Sequence, residues 1–138
     1  MIPRVLLDTG PLVALLASDD ARHDQCVKQL HSVVPPLITT WPVLTEACWL
    51  LRSRSEALQQ MMVWTTTGMI TVPPIGDEAG SWIATFFRKY RKLEPQIADA
   101  SLVYLAERDD LGTVFTLDRR DFAVFRFGRN KRFRLLPE

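Results

Sequence analysis

Cysteine is scarce in this chain, with two residues among 138, and that scarcity excludes a disulfide framework as the source of its stability. Cys26 and Cys48 both fall in apolar helical stretches, where small core hydrophobes are the expectation rather than bridge partners. His23 lies three residues before Cys26, but no second ligand pair follows, so this spacing reads as a solvated helix and not as a zinc site. No apolar run approaches the roughly 18 residues of a membrane helix, and no charged-then-apolar leader with a cleavage site is present. A soluble cytoplasmic protein with no membrane partner is the expectation. Neither charge is in excess, 17 Lys and Arg against 16 Asp and Glu leaving a net +1. Repeats, low-complexity tracts and linkers are absent as well. A chain of 138 residues, 47% hydrophobic, can bury a proper core yet is too short for two ordinary domains, so one domain over residues 1–138 is expected.

What is present is an alternation of strands and helices. A strand over residues 4–7 leads to helices over about 11–17 and 21–33, then a short strand at 37–39 after Pro35-Pro36. A helix over 42–52 breaks at Ser53-Arg54-Ser55, where Ser55 can cap a helix over 56–66 that Gly68 ends. A strand at 69–72 is closed by Pro73-Pro74. Helices over 78–91 and from Pro95 to about residue 108 precede strands at 113–117 and 133–136. Strands separated by helices imply an α/β fold with a mainly parallel central sheet.

Four acids stand where apolar residues are expected. Asp8 closes Val5-Leu6-Leu7 and Asp118 closes Val114-Phe115-Thr116-Leu117, which puts both carboxylates at the carboxyl ends of buried strands, where open α/β sheets place ligand crevices. Asp99 shares a helical face with Leu102, Val103 and Ala106, and Glu46 lies between Val43 and Trp49/Leu50 by the same spacing, so both point toward the protein from near helix N-termini. Singly, each could be a cap or a dipole-favoured acid, Asp8 before Thr9-Gly10-Pro11 included. Jointly they would repel at about 3 kcal/mol per pair at ~5 Å and an effective dielectric of ~20, with few neighbouring Lys or Arg to offset it. A divalent cation removes that cost, and oxygen-only donors suit Mg²⁺ or Mn²⁺ better than zinc.

The segments Leu6-Leu-Asp-Thr-Gly-Pro-Leu, Thr45-Glu-Ala, Ile97-Ala-Asp-Ala-Ser-Leu and Thr116-Leu-Asp-Arg-Arg-Asp-Phe122 resemble, in order and spacing, the motifs of PIN-domain ribonucleases, most of all the small stand-alone VapC-type toxins of toxin-antitoxin pairs. The resemblance runs from Val5 to about Leu136, and its most specific piece is the last segment. It implies a three-layer α/β/α PIN-like fold and an acidic quartet of Asp8, Glu46, Asp99 and Asp118. Asp8, Asp99 and Asp118 would hold one or two Mg²⁺, with Mn²⁺ a plausible substitute, and Thr9, Thr116 and Asp121 would support the site. It further implies an RNA substrate, a small antitoxin protein as partner, and a homodimer. Gln96 is a departure, standing where many relatives carry a further acid.

The implied chemistry is hydrolysis of RNA phosphodiester bonds by a metal-activated water, with Glu46 positioning that water or taking its proton. Arg119 and Arg120, directly after Asp118, are candidates for phosphate contacts. The run Arg88-Lys89-Tyr90-Arg91-Lys92 reads as a solvated helix face. The tail from Arg126 to Arg134 reads equally as solvated surface or as an RNA contact flanking the carboxylates. Trp41, Trp49, Trp64 and Trp82 are expected in the core, although four Trp could include a patch that another subunit covers. A receiver-type phosphorylation switch would want paired acids after the first strand, and an aspartate-nucleophile phosphatase would want an acid where Gly10 stands. The alternative kept open is a PIN-like RNA-binding or partner-binding module without nuclease activity.

Overall fold

The computed structural model describes residues 1–138 throughout. At its centre lies β1 (Val5–Leu7), whose three residues are all buried because helices cover both faces of the sheet. Around it stand β2 (Leu37–Ile38), β3 (Ile70–Thr71), β4 (Thr113–Phe115) and β5 (Arg134–Leu136), in the spatial order β3-β2-β1-β4-β5 with every pairing parallel. Leu6 is opposite Ile38 on one side and Val114 on the other. The chain builds outward from β1 to β3, then returns to place β4 on the far side of β1. The strand order therefore reverses between β1 and β4, the switch point at which open parallel sheets form a crevice.

Seven helices supply the outer layers: α1 (Thr9–Leu16), α2 (His23–Leu30), α3 (Trp41–Leu50), α4 (Ser55–Trp64), α5 (Ala79–Lys89), α6 (Ile97–Asp109) and α7 (Arg119–Phe122). Packing of α1 on α2, α3 and α4, and of α6 on α3 and α5, encloses one contiguous apolar cluster with the sheet. This is the α/β architecture with a parallel sheet that the alternating pattern implied. Most of α6 is buried, eight of its residues being sealed from water, so its position is set by packing on both sides. No helix is long and apolar enough to cross a membrane.

Several expectations are corrected. Ser55 does not cap α4: it is the first helical residue, Arg54 precedes it, and the Ser55 hydroxyl accepts from Gln59 Nε2 at 3.0 Å. The helix also ends at Trp64, ahead of Gly68, whose φ of +85° carries the chain into β3. Cys26 is buried as expected, but Cys48 is exposed. Trp41 and Trp49 are 59% and 65% exposed, so neither is a core residue. His23 is half-buried rather than solvated, its Nδ1 lying 2.7 Å from the Ala14 carbonyl. The 3-10 turn Arg91–Leu93 and the short α7 were not anticipated.

Candidate active site

Strand β1 delivers Asp8 to the crevice. Its backbone N–H donates to the Phe115 carbonyl at 2.9 Å, which continues the β1–β4 ladder by one bond, and its residue is only 6% exposed. Although Asp8 immediately precedes α1, its side chain makes no capping bond. Instead Asp8 Oδ2 accepts from the hydroxyl of fully buried Thr116 at 2.7 Å. The same hydroxyl accepts from the Asp118 backbone N–H at 2.9 Å. Thr116 thus ties the ends of the two central strands together. Gly10 lets α1 start against the segment that follows β4, because a Cβ there would stand 3.2 Å from Leu117 Cβ.

Asp118 opens α7, its Oδ1 accepting from Asp121 N–H at 3.1 Å. The segment beyond is held by aromatic packing: Phe122 and Phe125 are fully buried, and Phe125 meets Phe86 and Tyr90 of the α5 region at 5.1 and 5.0 Å between ring centroids. Asp99 sits in the first turn of α6, where its Oδ2 accepts from Gln96 N–H at 3.0 Å in a capping box. The capping reading therefore holds for part of this carboxyl group, while its place in the crevice wall is a separate fact. Glu46 is at the sixth position of α3 and not near a helix N-terminus as expected. At the start of α3, a buried 2.7 Å bond between the Thr40 and Ser101 hydroxyls ties that helix to α6.

These elements meet in an open crevice of about 490 Å³ whose wall includes Asp8, Glu46, Glu94, Asp99, Asp118 and Asp121, together with Thr9 and Gln96. All four acids singled out in the sequence are present, as are Thr9 and Asp121. Glu94 is the acid that sequence reasoning missed: it follows an irregular basic stretch with no periodicity to place it, and it reaches the crevice through a left-handed backbone at φ 51°.

The electrostatics of the crevice are unbalanced. Burial, reinforced by the charges of Glu46 and Asp118, pushes the Asp8 carboxyl up to about 6 against its Thr116 hydrogen bond. Burial, with the charges of Asp8, Asp118 and Glu46, pushes Asp99 up to about 7. Asp121 is raised by burial and by Asp118, with Arg120 opposing. The four ion pairs of the protein, Arg54–Asp19, Arg108–Asp109, Lys131–Asp110 and Arg134–Glu138, all lie elsewhere. Thr9, 3% exposed, carries the one buried side-chain polar atom without a protein partner, and it lines this same crevice. A hard cation fits these features: every charged group lining the crevice is a carboxylate, none of them is in an ion pair, and a buried hydroxyl is left unpaired. No three acidic side chains are drawn together into a ready-made metal cage.

The basic residues divide in space. Arg119 and Arg120 open α7 beside Asp118, and Arg119 donates to the Pro137 carbonyl at 2.5 Å. The rest of the tail does not flank the carboxylates. Arg134 pairs in register with Thr113 at the amino end of β4, so Arg129, Lys131 and Arg132, which lead into β5, lie at the sheet edge away from the crevice. Lys131 is paired with Asp110 there, and Arg126 folds back onto the carbonyls of Ala123, Val124 and Phe125.

Comparison with known proteins agrees with this geometry. The family model of the PIN domain matches residues 5–128. Ribonuclease VapC26 of Mycobacterium tuberculosis (strain ATCC 25618 / H37Rv) is 27% identical over 135 residues, covering 96% of this chain and 100% of that protein. In fold the chain is similar to the crystal structure of Mycobacterium tuberculosis VapC20, a sarcin-ricin loop cleaving toxin, with a TM-score of 0.78 and 20% identity over 87% of this chain and 94% of that one.

Proposed function

This chain belongs to the PIN-domain family, and on that premise we propose that it is a Mg²⁺-dependent endoribonuclease, the toxin of a toxin-antitoxin pair. One observation carries the reading: a crevice walled by carboxylates, with no Lys or Arg in its lining, opens at the switch point of a parallel sheet. The relative named as a ribonuclease, matched along its whole length, supports the same activity.

In this reading Asp8, Asp99 and Asp118 hold the cation, Mn²⁺ being able to replace Mg²⁺. Such an ion would supply activation of a water and compensation of the charge on the phosphate and leaving oxygen. The protein's own groups do the rest. Thr116 fixes the Asp8 carboxylate and the Asp118 backbone through its two hydrogen bonds, so that the Asp8 carboxylate need not be ordered during the reaction. Glu46, half-buried on α3, receives the proton of the attacking water or directs that water at phosphorus. Asp121 braces α7 by donating its N–H to Asp118, and Thr9, whose hydroxyl is buried without a partner, lines the crevice beside Asp8. Arg119 and Arg120 meet the backbone of the strand at the rim. The protein works in the cytoplasm as a single domain, pairs with a second copy, and is neutralised by a small antitoxin.

Cleavage of an end-labelled RNA pool tests the reading. Wild type should cut in Mg²⁺ and lose that activity in EDTA, with recovery on adding back Mg²⁺ or Mn²⁺. Intact RNA under metal-replete conditions, with the protein folded, would mean a binding module and not a nuclease.

A further inference from the structure

We propose that the exposed face of α3 is a stacking platform for a nucleobase next to the scissile phosphate, with Trp49 as the aromatic plane and Arg52 as its cationic backing; this rests on the nuclease reading above. Trp49 is 65% exposed and Leu50 53%, apolar area that a helix on a sheet ordinarily turns inward. The Arg52 guanidinium lies 4.0 Å from the centroid of the Trp49 ring, and its NH1 donates to the Trp49 carbonyl at 2.9 Å. The cation is thus pinned against the indole by a bond at the helix end. An aromatic plane joined to a fixed positive charge is the combination with which single-stranded nucleic acid is held, the plane taking a base and the charge a phosphate.

Position selects RNA as the occupant. Trp49 and Ile97 line a groove of about 460 Å³ that shares Glu46, Leu50 and Gln96 with the acidic crevice, so the two are continuous. Trp49 follows Glu46 by three residues, about 4.5 Å along the helix axis. A strand with a phosphate at the carboxylates must lay the adjoining nucleotide on that wall. Arg119 and Arg120 open α7, directly after Asp118 of the crevice wall. The strand would thus meet positive charge for its backbone at α7 and an aromatic plane for a base at α3. Stacking tolerates every base but favours the larger purine surface, which would give the enzyme a mild preference at one position flanking the cut.

Binding of a fluorescent single-stranded RNA, with Ca²⁺ in place of Mg²⁺ to suppress cleavage, is compared for wild type, Trp49→Phe and Trp49→Ala. Each protein is also titrated with an abasic strand of the same length, and its mass is measured by sedimentation. Trp49→Ala should weaken the base-bearing strand by roughly five- to 150-fold, the span of base–aromatic stacking. It should change the abasic strand by less than about twofold, since the phosphate contacts remain. Trp49→Phe should retain most of the affinity, and all three proteins should sediment alike. Equal losses on both strands, no loss on either, or a fall in mass in the Ala variant would overturn the platform, the last marking the face as a protein contact. Wild-type cleavage in Mg²⁺ is measured alongside. A protein that cuts RNA yet is indifferent at Trp49 loses the platform and keeps the nuclease reading, whereas one that neither binds nor cuts loses both.

Discussion

Replacing Asp99 by Asn should make the metal-free protein more stable at pH 8 while abolishing cleavage. Asn keeps the size and the oxygen that accepts from Gln96 N–H at 3.0 Å, so the capping box survives and only the charge is lost. Burial, and then Asp8, Asp118 and Glu46, raise Asp99 from 3.8 to about 7. At ~1.36 kcal/mol per pKa unit that displacement is about 4 kcal/mol for a sealed group, and screening of this partly exposed one reduces it to about 1–2 kcal/mol. The sign follows from the raised folded-state value. Above about pH 7 the carboxylate is ionised in both states and only the folded state suffers, whereas the stability gained by protonation is complete below the unfolded value of 3.8. Wild type in EDTA should accordingly gain stability as the pH falls from 8 to 5, and the Asn variant should gain less.

The assay is thermal melting in EDTA at both pH values, followed by a Mg²⁺ titration at pH 8. For a chain of this length the Asn variant should melt roughly 3–7 °C above wild type at pH 8 in EDTA, with most of the difference gone at pH 5. The Mg²⁺-induced rise should shrink, because an ion stabilises only through its affinity for the folded state. A variant that melts lower than wild type in EDTA at pH 8, keeps the full Mg²⁺ shift and still cuts RNA would refute the reasoning and leave Asp99 as a helix cap alone.

Thr116→Val removes the hydroxyl that serves both Asp8 and the Asp118 N–H, and should cost about 1–3 kcal/mol in urea unfolding together with a slower cleavage rate; an unchanged midpoint and rate would contradict the bridging role. Arg120→Gln should lower the log-log salt slope of RNA binding by about 1, whereas Arg129→Gln with Arg132→Gln should leave it unchanged, because those two lie at the other edge of the sheet. Expression of the protein alone should arrest growth of its host, and co-expression of the small protein encoded beside it should relieve the arrest; a soluble, metal-replete protein that is harmless would remove the toxin assignment.

The legible parts of the sequence were those where one physical demand dominates. A short apolar run ended by a carboxylate can scarcely be anything but a buried strand with its acid at the ligand edge, and Asp8 and Asp118 both sit there. Asp99 was legible because it shares its helical face with Leu102, Val103 and Ala106, all buried, which leaves an acid on a core face to be explained. The breadth of apolar residues misled in α3. Val43, Leu44 and Ala47 face the core while Trp41, Trp49 and Leu50 face water, and helical phase alone cannot rank two apolar faces. Cys48 shares that exposed side. Glu94 and α7 depend on a left-handed residue and on aromatic packing of Phe122 and Phe125, neither of which has a period in sequence. The tail misled for a different reason: adjacency to Asp118 in sequence says nothing of which end of the sheet a segment reaches once the chain has turned back to begin β5.

The most direct measurement is an anomalous difference map from a crystal of the wild-type protein soaked in Mn²⁺. A divalent-cation site predicts a peak in the crevice bounded by the carboxylates of Asp8, Asp99 and Asp118, lost in a crystal of the Asp8→Asn variant. An empty crevice at saturating Mn²⁺, with all three carboxylates ordered and open to solvent, would contradict the claim that this acidic cluster exists to hold a metal.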